Sequence, residues 1–458
     1  MMSCLRVSKI LTVAFFIQVF SAYGCSPTKE SNEINPTVVT GYVLDGGKNP
    51  VVGARVSLST VPFFDGVFTD SHGLYKLTDF PAGKHRLKVE KLGYEIYEAD
   101  VSKSENSVAT MNIVLTSKTY IIPDVKPLSV GTVRIRDKIL ETDFDGDGTY
   151  QPFVVKGAAF SPVPIGNLPV TSKIYDRCIQ WIVNLNANTV RTYSGVDKYF
   201  LQKAAENNIR VIVGFWVNLD LDLSLPGNKQ KVIDDFASFI LDLKEYPAVL
   251  MWNIGNEQNY STSPNNGDSP YWYSLVHEMA LTAYKIEGAK YHPVCISNGG
   301  YRNIGDSSML ANDSSLTYVD LWASNAYERN FDPFFSSYRS KSNKPIVITE
   351  FGIDALNNIS KTEYESVQAY FDSTNWVQIR NASHVCVGAT VFEFTDEWWK
   401  AGDLNAHDFG GYATNAHPDG YSNEEWWGII AVTPDTTHDG LDEWRARKAY
   451  TMFQQFWK

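Results

Sequence analysis

Two glutamates close apolar runs that are otherwise built for burial. MWNIGNE ends on Asn256 and Glu257, and PIVITEFG carries Glu350 directly after Val347, Ile348 and Thr349. A carboxylate at the end of such a run is fixed by the strand beneath it. Two of them brought to one point supply a nucleophile and a proton donor, the pair that cleavage of a glycosidic bond requires. Separations of about 5–5.5 Å suit a covalent, retaining route, and about 6.5–9.5 Å an inverting one.

The elements that must position these groups read as alternating strands and helices. VVKGAAF, TVRTYS, RVIVGFWV, AVLMWNIGNE, HPVCISN, VDLWASNAY, PIVITEFG and VCVGATVFEF are continuous apolar runs. Amphipathic stretches such as KQKVIDDFASFILDLKE and YWYSLVHEMALTAYKI lie between many of them, and EWRARKAYTMFQQFWK ends the chain. Runs buried on both faces and separated by helices mean parallel sheet. Eight of them over residues 154–458 predict an α/β fold, a closed (β/α)8 TIM barrel. An open doubly wound sheet would want a glycine-rich phosphate loop after its first strand, where this chain reads KGAAFSPVPIG.

A barrel gathers its site at the carboxyl ends of its strands. Those ends carry Arg191, Thr192 and Tyr193, then Trp216 and Asn218, Asn256 and Glu257, Ser297 and Asn298, Asn325 and Tyr327, Glu350, and Glu393 followed by Asp396, Trp398 and Trp399. The fourth and seventh strands face each other across an eight-stranded ring, so Glu257 and Glu350 are expected to meet. Glu393 lines the site or pairs with Lys400. The long segment after the eighth strand carries Trp398, Trp399, Trp426 and Trp427. It is expected to wall a cleft, with Trp398 or Trp399 stacked under a ring, because indole presents a large flat apolar face. His407, His417, Glu424 and Glu425 match no metal-ligand spacing.

NIGNE, ITEFG, Arg191 and Tyr327 together resemble glycoside hydrolase clan A, the retaining β/α-barrel glycosidases. The resemblance covers roughly residues 150–458. Within the clan, the family 2 catalytic barrel and the β-1,3-glucanosyltransferases of fungal walls are nearest in flavour, sharing a strand like NTVRTYS and the GNE motif. It implies Glu257 as acid/base and Glu350 as nucleophile. It implies that Asn256 holds a sugar 2-hydroxyl and that Arg191 and Tyr327 flank the nucleophile. Tyr193, Trp216, Asn298, Glu393, Trp398 and Trp399 are the further candidates for substrate contact. No cofactor is required by this chemistry. The implied substrate is a β-linked polysaccharide or oligosaccharide, a β-glucan and β-1,3-glucan first. Transfer to a sugar hydroxyl by the same site, and a non-catalytic glycan-binding protein, are the alternatives.

Residues 37–117 have a different texture. VVTGYVLD, ARVSLST, LYKLTDF, HRLKVEKLGY and ATMNIVLT are short alternating runs broken by GGKNP, DSHG and PAGK, which predicts a small all-β sandwich. TGYVLD, GARVSLS and TDSHGLYKLTDFPAGKHRLKVEKLGYE resemble the carboxypeptidase-regulatory-like module, commonly a spacer. Residues 118–153 are a connector and hairpin. Its turn, DFDGDG, sets Asp143, Asp145 and Asp147 at alternate positions before Gly148, like the start of a calcium loop. The twelfth position is Val154 instead of Glu, and Asp and Gly also favour plain turns.

The chain has 458 residues, a net charge of -12, 44% hydrophobic and 13% aromatic residues. That allows two folded units and, without a basic patch, argues against a nucleic-acid partner. Residues 1–24 read as a leader: Arg6 and Lys9, then an apolar run from Ile10 to Phe20. SAYGC resembles the lipobox of bacterial lipoproteins, with Ala22 where Leu is usual, which implies a lipid on Cys25. Residues 25–36 are then a polar tether, and the expected location is the bacterial cell envelope, anchored in a membrane. Cys178, Cys295 and Cys386 have no framework spacing and read as buried small hydrophobes.

Overall fold

The structure is a computed structural model, and it describes residues 38–61, 64–104, 107–263 and 265–458. The leader, Cys25 and the tether lie outside the described residues. Strands β1 (Val38–Asp45), β2 (Arg55–Leu58), β3 (Val67–Phe68), β4 (Leu74–Leu77), β5 (Gly83–Glu90), β6 (Tyr97–Lys103), β7 (Val108–Thr110) and β8 (Ile113–Leu115) build a sandwich. One sheet has the order β4-β1-β7 with β8 also on β1, and the other the order β3-β2-β5-β6. Alternation sets the inner faces: Val39, Val43, Leu77, Leu87, Val89 and Ile113 fill the space between the sheets.

Strands β9 (Val133–Arg136), β10 (Ile139–Thr142) and β11 (Gln151–Pro152) form a small antiparallel sheet. Its apolar side is not free. Val133 and Leu140 are buried in one cluster with Val155, Leu250, Leu321, Val347 and Val387. These are residues of the barrel interior near the beginnings of its strands, so the hairpin closes the floor of the barrel.

The barrel strands are β12 (Val155–Ala159), β13 (Thr189–Arg191), β14 (Arg210–Phe215), β15 (Val249–Ile254), β16 (Val294–Gly299), β17 (Leu321–Asn325) and β18 (Ile346–Glu350). After two short strands, β19 (Leu356–Asn357) and β20 (Thr362–Glu363), β21 (Cys386–Val391) closes the ring on β12. All eight barrel pairings are parallel, so the expected (β/α)8 barrel with an N-terminal all-β unit is what the chain forms.

Helices α1 (Ser172–Asn184), α2 (Lys198–Glu206), α3 (Pro226–Leu243), α4 (Pro270–Glu287), α5 (Phe331–Arg339) and α6 (Glu365–Asn381) surround it, and α7 (Lys448–Phe456) ends the chain. Their starts are legible. Thr171, Asp197 and Asn330 cap α1, α2 and α5 with side-chain oxygens, and α3 and α4 begin on proline. The crossover from β16 to β17 is the exception, made of turns instead of a helix. Among the described residues no helix is long and apolar enough to cross a membrane.

The sandwich rests on the end of α3. Buried Glu90 of β5 forms an ion pair with Lys88 at 3.1 Å and accepts from Lys244 at 3.0 Å. Cys178, Cys295 and Cys386 are buried and free.

Candidate active site

Register brings the strand ends together. Asn325 ends β17 opposite Glu350 at the end of β18, and Arg191 ends β13 beside Ala159 of β12. Arg191 is fully buried and Glu350 is 5% exposed. Nη1 of Arg191 and the hydroxyl of Tyr193 each donate to Oε1 of Glu350 at 2.9 Å, and the hydroxyl of Tyr327 donates to Oε2 at 2.5 Å. Both oxygens of one carboxylate are thus held, one of them by a guanidinium. Tyr193 was expected at substrate. It lies on the nucleophile candidate, with the Arg191 guanidinium 3.8 Å above its ring.

Asn256 is oriented by the same network. Its Oδ1 accepts from Nη2 of Arg191 at 2.6 Å and from Nδ2 of Asn325 at 3.0 Å. Asn325 is held in turn by Thr349, whose hydroxyl donates to its Oδ1 at 2.9 Å. With the carbonyl side engaged twice, the NH2 of Asn256 is the end left to donate.

Glu257 sits on a forced turn. Gly255 has φ +69°, and a Cβ there would meet Oε1 of Gln258 at 2.2 Å, so only glycine fits. Glu257 itself is left-handed, with φ 58°. Gln258 braces the turn, accepting from the Asn256 amide at 2.5 Å and donating to the Val217 carbonyl at 3.2 Å. Burial first, and then the charge of Glu350, push the Glu257 carboxyl up to about 7, against the opposing pull of Asn325 and Arg191. One carboxylate fixed by three donors thus stands beside one that keeps its proton near neutrality.

The eighth strand's end is a charge cluster. Lys400 Nζ lies 3.2 Å from Glu393 and 2.7 Å from Glu397, all three buried to 15% side-chain exposure or less. Burial, then the charge of Glu397, hold the Glu393 carboxyl well above its ordinary range. The same two carboxylates hold the Lys400 ammonium above its own, against desolvation.

Asp396 does not face the mouth. Arg447, fully buried, grips both its oxygens at 2.6 and 2.7 Å. Arg447→Met leaves that buried carboxylate unpaired and is expected to destabilise the barrel by about 3–5 kcal/mol. A lowered urea midpoint of the barrel transition would register it, and an unchanged midpoint would refute the structural role.

The aromatic expectations divide. Trp216 and Trp399 are 43% and 38% exposed, the latter with the Lys400 ammonium 5.9 Å from its ring centre. Trp398 is buried, and its face is taken by His407 at 4.6 Å, which stacks on Trp426 at 3.5 Å. Trp398 is therefore an internal support of the long loop and not a platform for a sugar. Trp427 instead packs edge-on against Tyr327, 5.0 Å between ring centres, and against Phe392 at 5.1 Å.

Asn298 also departs from expectation. Its amide donates to the hydroxyl of Tyr273 in α4 and to the Arg302 carbonyl, each at 3.2 Å, so it faces the helix layer. Its neighbour Ser297 is the inward residue, donating to Asn253 at 2.8 Å. His417 is bonded to Asp354 at 2.8 Å. Among the described residues the one grouping able to hold a metal ion is Asp143, Asp145 and Asp147, at the far end of the barrel.

Strand-end logic collected Asn325 without giving it a role and named Lys400 only as a partner of Glu393; it did not single out Glu397 or Tyr412. Tyr412 lies on the short hairpin β22 (Gly411–Ala413) and β23 (Tyr421–Asn423). Burial, and after it the charges of Glu424, Glu257 and Glu350, raise its hydroxyl, which puts it at the mouth. The i,i+3 spacing of Glu397 and Lys400 was the one available signal for that pair.

Comparison with known proteins agrees with this geometry. Residues 38–116 match the carboxypeptidase regulatory-like domain. No curated protein matches the chain by sequence. A β-D-glucuronidase from Dictyoglomus thermophilum is similar in fold, with TM-score 0.50, 15% identity and coverage of 92% of this chain and 63% of that one. A β-glucuronidase from Ruminococcus gnavus gives TM-score 0.52, 16% identity and coverage of 88% and 63%. The chain thus spans a little under two thirds of the length of these structures. Residues 186–403, which hold Arg191, Glu257 and Glu350, match the TIM barrel domain of the glycosyl hydrolases of family 2.

Proposed function

We propose that the chain is a retaining glycoside hydrolase acting on β-linked saccharides, with Glu350 as nucleophile and Glu257 as acid and then base. One observation carries the reading. Glu350 is held by Arg191, Tyr193 and Tyr327, while Glu257 feels its charge yet has no ion pair of its own among the described residues. Glu350 attacks the anomeric carbon as Glu257 protonates the departing oxygen. Glu257, now ionised, takes a proton from the water that releases the sugar from Glu350. Asn256 donates to the 2-hydroxyl as the ring flattens.

The similar structures are glucuronidases, but the charges around this mouth favour a neutral sugar. A uronate needs a cation with spare donors. Arg191 is committed to Glu350 and Asn256 and Lys400 to Glu393 and Glu397, which leaves the exposed Arg329, one of whose nitrogens donates to the His417 carbonyl at 2.7 Å, as the cation a uronate would have to use. Glu424 adds negative charge near Glu257. A bound carboxylate would meet like charges at close range, which costs affinity. A β-glucan, β-1,3-linked first, is the polymer we propose, with the enzyme held at the bacterial cell envelope by lipid on Cys25.

The test is a panel of p-nitrophenyl β-glycosides and of β-glucans, mannans and galactans, with the first-formed anomer read by proton NMR. The β-glucoside is expected to exceed the β-glucuronide in kcat/KM by at least about tenfold, a difference of about 1.4 kcal/mol. Inverted product would refute double displacement, and a preference for glucuronide would refute the neutral-sugar reading. Longer products from oligosaccharides would mark transfer over hydrolysis. Binding without release of sugar from any substrate would leave the non-catalytic alternative.

A further inference from the structure

At the opposite end of the barrel the turn from β10 to β11 runs through Asp143, Phe144, Asp145, Gly146, Asp147 and Gly148. One carboxylate oxygen of each aspartate lies within 4.8 Å of the others. Two ligands on opposite sides of a calcium ion, at about 2.3–2.6 Å each, stand about that far apart. The backbone therefore already holds the three groups where one ion can join them.

Asp143 is the independent sign. It is 8% exposed. Its Oδ2 accepts from the Gly148 amide at 3.0 Å. Its Oδ1 is buried and has no hydrogen-bond partner among the described residues. A buried carboxylate oxygen without a donor is costly and uncommon. Arginines near it are engaged elsewhere, and Lys290 lines the same cavity without bonding to it. Arg134 and Arg136 pair with Glu141 at 2.7 and 2.6 Å, and the guanidinium of Arg210 sits 3.7 Å over the Phe144 ring.

We propose that Asp143, Asp145 and Asp147 bind one calcium ion that fastens the floor hairpin. They occupy the first, third and fifth positions of an oxygen-ligand loop. Gly148, with φ +86°, makes the sharp turn at the sixth. Three anionic oxygens on a largely exposed turn suit a hard, flexible coordinator such as calcium over magnesium, which demands near-ideal octahedral geometry. Val154 stands where a bidentate glutamate would complete the loop, so the affinity belongs to the weak range of extracellular modules, about 10⁻⁴–10⁻³ M. The ion would tie β10, whose Leu140 packs in the barrel floor, to β11, which leads directly into β12. Its effect is on the barrel's cohesion and not on the chemistry at the other end.

The experiment uses the whole protein after treatment with EDTA and dialysis. Calorimetric titration with calcium chloride is expected to show one site in that range. Addition of 5–10 Kd of calcium should raise Tm by about 1–2 °C. The double variant Asp145→Asn/Asp147→Asn, at two exposed positions, should lose both the binding and the calcium-dependent shift while keeping its glycosidase rate. Absence of binding and of a shift at 10 Kd would overturn the proposal. So would binding that survives the double variant, or an equal response to magnesium.

Discussion

Glu350→Gln is expected to lower kcat by about 10⁴-fold or more while leaving the fold intact, because it removes the attacking atom and little else. The amide is isosteric: with its oxygen in the place of Oε1 it still accepts from Arg191 and Tyr193, and its NH2 can donate to the Tyr327 hydroxyl, so circular dichroism and Tm should stay near those of the parent. A second variant separates loss of the nucleophile from loss of shape. In Glu350→Ala, azide can enter the vacated space and attack the anomeric carbon from the same side. Turnover of an activated aryl glycoside should return with azide, and the product should be the inverted glycosyl azide. Near-parental activity in Glu350→Gln, or rescue that gives the retained azide, would remove Glu350 from the role.

Glu257 should govern the alkaline limb of the pH profile. Its protonated form is the one that assists departure, and its carboxyl titrates at about 7 because burial and Glu350 disfavour the charge. Rising pH therefore removes the active form, and kcat/KM should fall about tenfold per unit above that value. Glu257→Gln should lower the rate on a substrate with a poor leaving group by about 10²–10⁴-fold and abolish the limb. A dinitrophenyl glycoside, whose leaving group needs no proton, should lose far less in its first step. A limb unchanged in Glu257→Gln would place the proton on another group.

The barrel was legible because parallel strands buried on both faces have to be written as uninterrupted apolar runs. Once the strands were in place, their ends named Arg191, Asn256, Glu257, Tyr327 and Glu350 as neighbours, and the structure brings these five together. Orientation within a strand end was harder. Ser297 and Asn298 are adjacent, and a period of two turns one into the barrel and the other to α4. Nothing in ISNGG says which.

The indoles were illegible for another reason. Trp398 and Trp399 are equivalent in sequence, but a histidine nine positions after Trp398 occupies its face, and that contact is purely tertiary. The TVRIRDKIL hairpin likewise reads as half-buried without saying what covers it. The cover is the barrel itself.

That last contact changes where the catalytic unit starts. A cut at residue 154, where the strand and helix rhythm begins, would strip Val133 and Leu140 from the barrel and open its base to water. The smallest portable enzyme therefore begins near Ile122, which packs against the barrel core, and so keeps Lys126, whose ammonium pairs with Asp320 at 2.6 Å. In any recombination of modules, natural or engineered, the hairpin should travel with the catalytic half, and the sandwich is the part that can be exchanged.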